Sequence, residues 1–222
     1  MRERMIVRQT TSDSYKQIWA PGYFRLFISH SSADKAVATD LVLPLHRLGV
    51  DAFVAHQSIR PTLRWQAVIQ QALRSMHAIV AILTPRFRRS KWTDQEVGFA
   101  LARRVRILSI RMGSDPHGFL GRDQALTPRV QGDERLLDED VIDALWEVPS
   151  LRQRLTSGFV SGLQHANSPK AAMPVFDRLE KASQISAADM NRIESCSNRT
   201  AAYSASLLYH RRLKRLIARH AR

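Results

Sequence analysis

Four short apolar runs, spaced by helix-patterned stretches, constrain this chain more than any other feature in it. They are Phe24 to Ile28, Val50 to Ala55, Ala78 to Leu83 and Val105 to Ile110. Each is mostly apolar, Ala78 to Leu83 without a break, and each ends in polar or breaker residues, the pattern of a buried strand. Between the first two, Ser31-x-x-Asp34 predicts a capped helix start, with Val37, Leu41, Leu45 and Leu48 as one apolar stripe. Gly49 closes that helix, and Pro44 inside it predicts a kink. A second helix carries Trp65, Val68, Ile69, Ala72, Leu73 and Met76 on one face. A third runs roughly from Asp94 to Arg104. Helical crossovers join parallel strands, so the expected class is α/β, a parallel sheet with helices on both faces.

In such a sheet ligands bind beyond the carboxyl ends of the strands. Three loops lie at that edge: Ser29–Ser32, His56–Thr62 and Thr84–Trp92, with Glu96 just past the third. The topology therefore gathers Ser29, His30, the loop before Trp65, Trp92 and Glu96 at one rim. Glu96 has two readings. Thr93-x-x-Glu96 is a capping box, in which Glu96 folds back onto its own helix amides. Alternatively Glu96, four residues after Trp92 and so on the same helical face, is an acid lining a pocket. Ser29 and His30 precede a helix start, where backbone amides favour a phosphate or ribose oxygen. His30 reads equally as a ligand or base and as turn filler, and Trp92 as a ring platform or as core.

The remaining sequence narrows the options. A chain of 222 residues with 44% hydrophobic and 24% charged content has the composition of a globular protein large enough to bury a core. A lone cysteine, Cys196, excludes an internal disulfide framework and a Cys-rich zinc site. His30, His46, His56, His77 and His117 lack zinc-ligand spacing, so no metal is expected. No apolar run approaches the ~18 residues of a spanning helix, and residues 1–22 read as a polar leader without a secretory h-region. A cytoplasmic protein with no membrane partner is the expectation. The net charge of +14 is concentrated: residues 195–222 hold seven Arg or Lys and no acid. Basic surface attracts nucleic acid or other phosphates, but there is no zinc-finger spacing and no RNP-like run, so specific nucleic-acid readout is not expected. No GxGxxG follows a strand, which excludes Rossmann-type dinucleotide binding.

Past Thr127 the strands stop. Residues 127–133 read as a linker, and 134–222 as a small all-helical domain with runs at Leu136–Trp146, Leu151–Leu163, Ala171–Ala182, Ala187–Glu194 and Ala201–Ala218. The last is basic and amphipathic, a surface for acidic partners, for self-assembly or for packing on the other helices.

Taken in order, these motifs carry a family resemblance. Phe24 through Lys35 resembles the first sequence box of the TIR (Toll/interleukin-1 receptor) domain. His56–Thr62 with the helix from Trp65 resembles the TIR BB loop and its following helix, without the acidic and Pro-Gly residues of animal adaptors. Ser90-x-Trp92-x-x-x-Glu96 is similar to the tryptophan–glutamate motif of enzymatic bacterial TIR domains. Gly113 to Gly121 resembles the segment after the fourth strand in bacterial TIR proteins of Thoeris-like phage defence. The resemblance implies a flavodoxin-like TIR domain over 23–126 that cleaves the nicotinamide–ribose bond of NAD by hydrolysis or cyclisation. It also implies Glu96 as the catalytic acid, with Ser29, His30, Trp65 and Trp92 around the substrate. NAD is then a substrate, and no cofactor is expected. Self-association through the TIR domain and a downstream effector sensing the nucleotide product follow from the same resemblance, as does a role in antiviral signalling. A non-catalytic TIR scaffold and a basic nucleic-acid-binding protein are the alternatives.

Overall fold

A computed structural model describes residues 18–55, 65–122, 124–127, 134–198, 203 and 206–220. It places β1 at Phe24–Ser29, α1 at Lys35–Asp40, α2 at Val42–Arg47, β2 at Val50–Val54 and α3 at Trp65–Ser75. Then follow β3 (Ala78–Leu83), α4 (Lys91–Ala102) and β4 (Arg106–Arg111). The helices α5 (Glu134–Trp146), α6 (Pro149–His165), α7 (Pro169–Leu179), α8 (Ala187–Ser195) and α9 (Leu207–His220) complete the described chain. The four strands form one parallel sheet in the order β2-β1-β3-β4. The chain winds from β1 outward to β2, then returns to the other side of β1 with β3. The carboxyl ends of β1 and β3 thus flank the switch point, where open α/β sheets bind ligands.

By internal packing the chain divides into two compact units, one of 1–20, 25–40 and 53–128, the other of 21–24, 41–52 and 129–222. The first unit has a core of Phe27, Phe53, Ile69, Leu73, Ile79, Phe87 and Ala100 among others. Every residue of β3 is buried, which is why its sequence is an unbroken apolar run. Trp19, inside the stretch read as a leader, is also buried; its indole donates to the Ser75 hydroxyl at 2.8 Å and its ring meets Phe53 edge-on.

The predicted kink at Pro44 is a full break three residues earlier. Pro44 has no N–H to give Asp40 and its ring crowds that carbonyl, so α1 stops at Asp40 and α2 restarts at Val42. Pro44 then lies in the first turn of α2, where no donor is needed. The start of this region also differs from the capping-box reading. Ser31 makes no side-chain cap, and the Asp34 carboxylate instead accepts from the Thr84 hydroxyl at 2.6 Å and from Arg86 at 3.3 Å. The end of α4 is a Schellman turn: Val105 N–H donates to Ala100 O and Arg104 N–H to Leu101 O, each at 3.0 Å. Arg104 takes the left-handed position, φ 54°, that glycine usually fills.

In the second unit, Pro149 and Pro169 are the first residues of α6 and α7. Ser168 and Ser186 cap α7 and α8 by accepting from Ala171 and Asp189 amides. The helices α5, α6, α7 and α9 bury Ile142, Leu155, Phe159, Phe176, Tyr209 and Leu213. One backbone approach is unusually close. Gly49, at φ 85°, ends α2, and a Cβ there would lie 1.8 Å from the Gly158 carbonyl oxygen on α6. A Cβ on Gly158 would lie 2.7 Å from the Gly49 oxygen, and one on Gly162 would lie 2.9 Å from the Gly49 nitrogen. Three glycines thus let the α2–β2 turn rest on the bare backbone of α6.

Arg212 is the main polar anchor of the basic helix α9, with Arg219 also donating to the Glu180 carbonyl at 2.6 Å. Arg212 donates through Nε to Glu180 at 3.0 Å, while its Nη2 lies 2.8 Å from both Asp177 and Glu180. Its guanidinium also sits 5.3 Å from the centre of the Phe176 ring. Only 15% of this side chain is exposed, so removing it takes the guanidinium partner from the largely covered Glu180 carboxylate and uncovers the Phe176 ring. Arg212→Ala is expected to lower stability by about 2 kcal/mol in urea unfolding, and Arg212→Lys to recover less than half, because an ammonium cannot reproduce the planar fork.

Candidate functional site

Ser29 is the last residue of β1, held in register with Ala81 of β3, and is fully buried. Its hydroxyl donates to Oε2 of Glu96 at 2.6 Å. Glu96 lies on α4, the helix after β3, and is 4% exposed. The bond therefore spans the switch point between β1 and β3. Burial pushes the Glu96 carboxyl up to about 7, and the Ser29 hydrogen bond opposes that rise.

The capping reading of Glu96 does not hold. The helix begins three residues earlier than the capping box requires, with Ser90 at the N-cap making no side-chain bond. Thr93 is inside the first turn and fully buried; its hydroxyl reaches back to the carbonyls of Phe87 and Ser90, both at 2.8 Å. Thr93 thus fastens α4 to the short 3₁₀ turn Phe87–Arg89, and Glu96 is left to face Ser29.

His30 is buried, and its Nδ1 lies 3.2 Å from the Ile28 carbonyl. A carbonyl only accepts, so the Nδ1 position carries the proton. Trp92 is 38% exposed and meets the half-buried Trp65 edge to face, with ring centres 4.9 Å apart. The expected site residues are therefore joined as two pairs, Ser29 with Glu96 and Trp65 with Trp92, and α4 contributes one member of each. The whole of the loop read as a BB loop, His56–Thr62, lies outside the described residues.

Supporting residues escaped the sequence reading. Thr84, at the end of β3, donates to Asp34 and accepts from the Phe87 amide at 3.1 Å. Asp34 and Thr84 thereby tie the segment after β1 to the loop after β3, on either side of the Ser29–Glu96 bond. Asp34 had an obvious local use as a cap, which concealed its long-range one. Past β4, His117 lies 3.8 Å from Asp94 on α4. Among the described residues, no three His, Cys, Asp or Glu side chains group as a metal site. No helix there is long and apolar enough to cross a membrane.

A family model described as the TIR domain matches residues 26–139, just over half of the chain. The chain belongs to the TIR domain family. Among solved structures it is similar to the TIR domain of the Toll-related receptor TRR-2 from Hydra magnipapillata, at 21% identity and a TM-score of 0.42, covering 56% of this chain and 93% of that one. No curated protein matches it.

Proposed function

We propose that this TIR-family chain is an NAD glycohydrolase or ADP-ribosyl cyclase whose catalytic carboxylate is Glu96. The observation that carries the reading is a glutamate 4% exposed, turned away from its own helix amides and held by Ser29 at the switch point of a parallel sheet. A structural role alone gives little reason to bury a carboxyl there, since burial is costly for its charged form.

The chemistry suits one carboxylate. In NAD the nicotinamide is already cationic, so the C–N bond breaks with its electron pair going to the ring nitrogen, and no acid need protonate the leaving group. The barrier lies in the positive charge that develops on the ribose, and an anionic Glu96 beside it stabilises that charge. A ring nitrogen of the same substrate then bonds to the anomeric carbon through its lone pair and has no proton to yield, whereas a water or a hydroxyl of the substrate bonds there and yields its proton. A carboxyl titrating at about 7 is matched to accept it. Trp92, exposed and braced edge-on by Trp65, offers a flat apolar face for a ring of the substrate.

Residues 23–126 are the proposed catalytic domain and 134–222 an accessory helical domain. Self-association that switches on cleavage, a cytoplasmic setting and a place in antiviral defence belong to the same proposal, by family likeness alone. The test is to incubate concentrated full chain with NAD and follow nicotinamide by chromatography. Wild type is expected to release it, Glu96→Ala to be inert, and Trp92→Ala to raise KM roughly tenfold through a lost stacking contact worth about 1–2 kcal/mol. A wild type inert even when clustered points instead to a non-catalytic TIR scaffold.

A further inference from the structure

We propose that Ser29 acts on Glu96 and not on a ligand: it is a positioning residue that holds the carboxylate charged and aimed. The inference rests on the glycosidase reading for its consequence, but its physical core is independent of it. A serine hydroxyl has one proton to donate, and here that proton is spent on Oε2 of Glu96 at 2.6 Å. The sheet, not a loop, fixes the donor. Ser29 sits inside β1, opposite Ala81 of the central strand β3, and is fully buried. A ribose oxygen seeking that hydroxyl would have to displace a short bond to an ion, the stronger kind of hydrogen bond.

The surroundings leave this role to no other group among the described residues. Among the described residues, Ser29 is the single hydrogen-bonding or charged partner of Glu96. His30, next along the chain, directs its Nδ1 proton to the Ile28 carbonyl. Asp34 faces Thr84 and Arg86, and Asp94 on the same helix faces His117. No lysine or arginine among the described residues is paired with Glu96 to hold it ionised. Burial alone favours the neutral acid, so the hydroxyl is what offsets it.

The test reads Glu96 directly. Full chain carrying ¹³C-labelled glutamate is titrated by NMR, the Glu96 carboxyl being the signal missing from Glu96→Gln. Ser29→Ala is expected to move its midpoint up by about one pH unit or more, the worth of a hydrogen bond to a charged group. Ser29→Thr, which keeps the hydroxyl, is expected to restore it, and Ser29→Cys, a weaker donor, to fall between. In NAD cleavage the acid limb of kcat shifts by the same amount in Ser29→Ala, while KM changes less than twofold. An unmoved Glu96 midpoint overturns the proposal. So does a tenfold rise in KM with an unmoved limb, the mark of a substrate ligand. If the chain does not cleave NAD, the proposed activity fails, and the NMR titration still decides the role of Ser29.

Discussion

Replacing Glu96 with glutamine is expected to abolish NAD cleavage and, at pH 8, to make the protein more stable than wild type. Both effects come from the same buried carboxyl. Its midpoint is pushed from 4.5 up to about 7 because burial penalises the charged form. A group raised in the folded state contributes stability that is complete below the unfolded value and is lost as pH rises through the folded one. For Glu96 the loss runs from about pH 4.5 to about pH 7. At about 1.4 kcal/mol per unit, the ionised side chain costs the fold about 3 kcal/mol above that window. Glutamine keeps an oxygen for the Ser29 hydroxyl and never ionises. Its amide brings an extra buried donor that returns part of the gain, so a net gain of about 2 kcal/mol is expected at pH 8. At pH 5 the two proteins should unfold at nearly the same urea concentration. Asp138, also pushed up by burial, to about 6, is common to both and cancels from the difference. Activity is expected to fall by at least two orders of magnitude, the usual effect of removing a charge that stabilises the transition state. Equal stability at pH 8 would show that Glu96 ionises without penalty, and the site would lose its main physical signature.

The largest stability effect is expected at the glycines where the α2–β2 turn meets α6. By helix propensity, Gly158→Ala should stabilise α6 by about 1 kcal/mol. Packing predicts the opposite sign. The new Cβ would lie 2.7 Å from the Gly49 oxygen and 3.0 Å from the Phe24 nitrogen, and both are backbone atoms that no rotamer change can move. Gly49→Ala is worse on two counts: contact at 1.8 Å with the Gly158 oxygen, and a left-handed φ of 85°. We expect Gly158→Ala to cost about 3 kcal/mol and Gly49→Ala more than about 4, enough to leave a marginally stable chain largely unfolded. Gly98 is the control. It is mid-helix with open space around its Cβ position, so alanine there should stabilise by about 0.5–1 kcal/mol. Urea midpoints of the three variants decide between propensity and packing.

These residues also mark what could be read from the chain itself. The strands were legible because a parallel sheet covered on both faces needs continuous apolar runs, and β3 matches its run residue for residue. The rim residues followed from topology, since Ser29 ends β1 and Glu96 follows β3. What the sequence hid were long-range uses of residues with a good local explanation. Thr93 and Glu96 satisfy a capping rule, yet Thr93 reaches back to Phe87 and Glu96 reaches Ser29, 67 residues away. Asp34 satisfies the same rule and binds Thr84, 50 residues on. Gly158 and Gly162 look like weak points of a helix until Gly49, more than a hundred residues earlier, is placed against them. The spacing of two glycines four apart was the available signal.

Nicotinamide release from NAD by the full chain at high concentration and pH 8, wild type beside Glu96→Gln, tests most directly whether the buried carboxylate is a catalytic group. Wild type should release nicotinamide, and the glutamine variant, folded and at least as stable, should not. Equal release by both proteins would contradict the assignment of Glu96, and no release by either would contradict the enzyme.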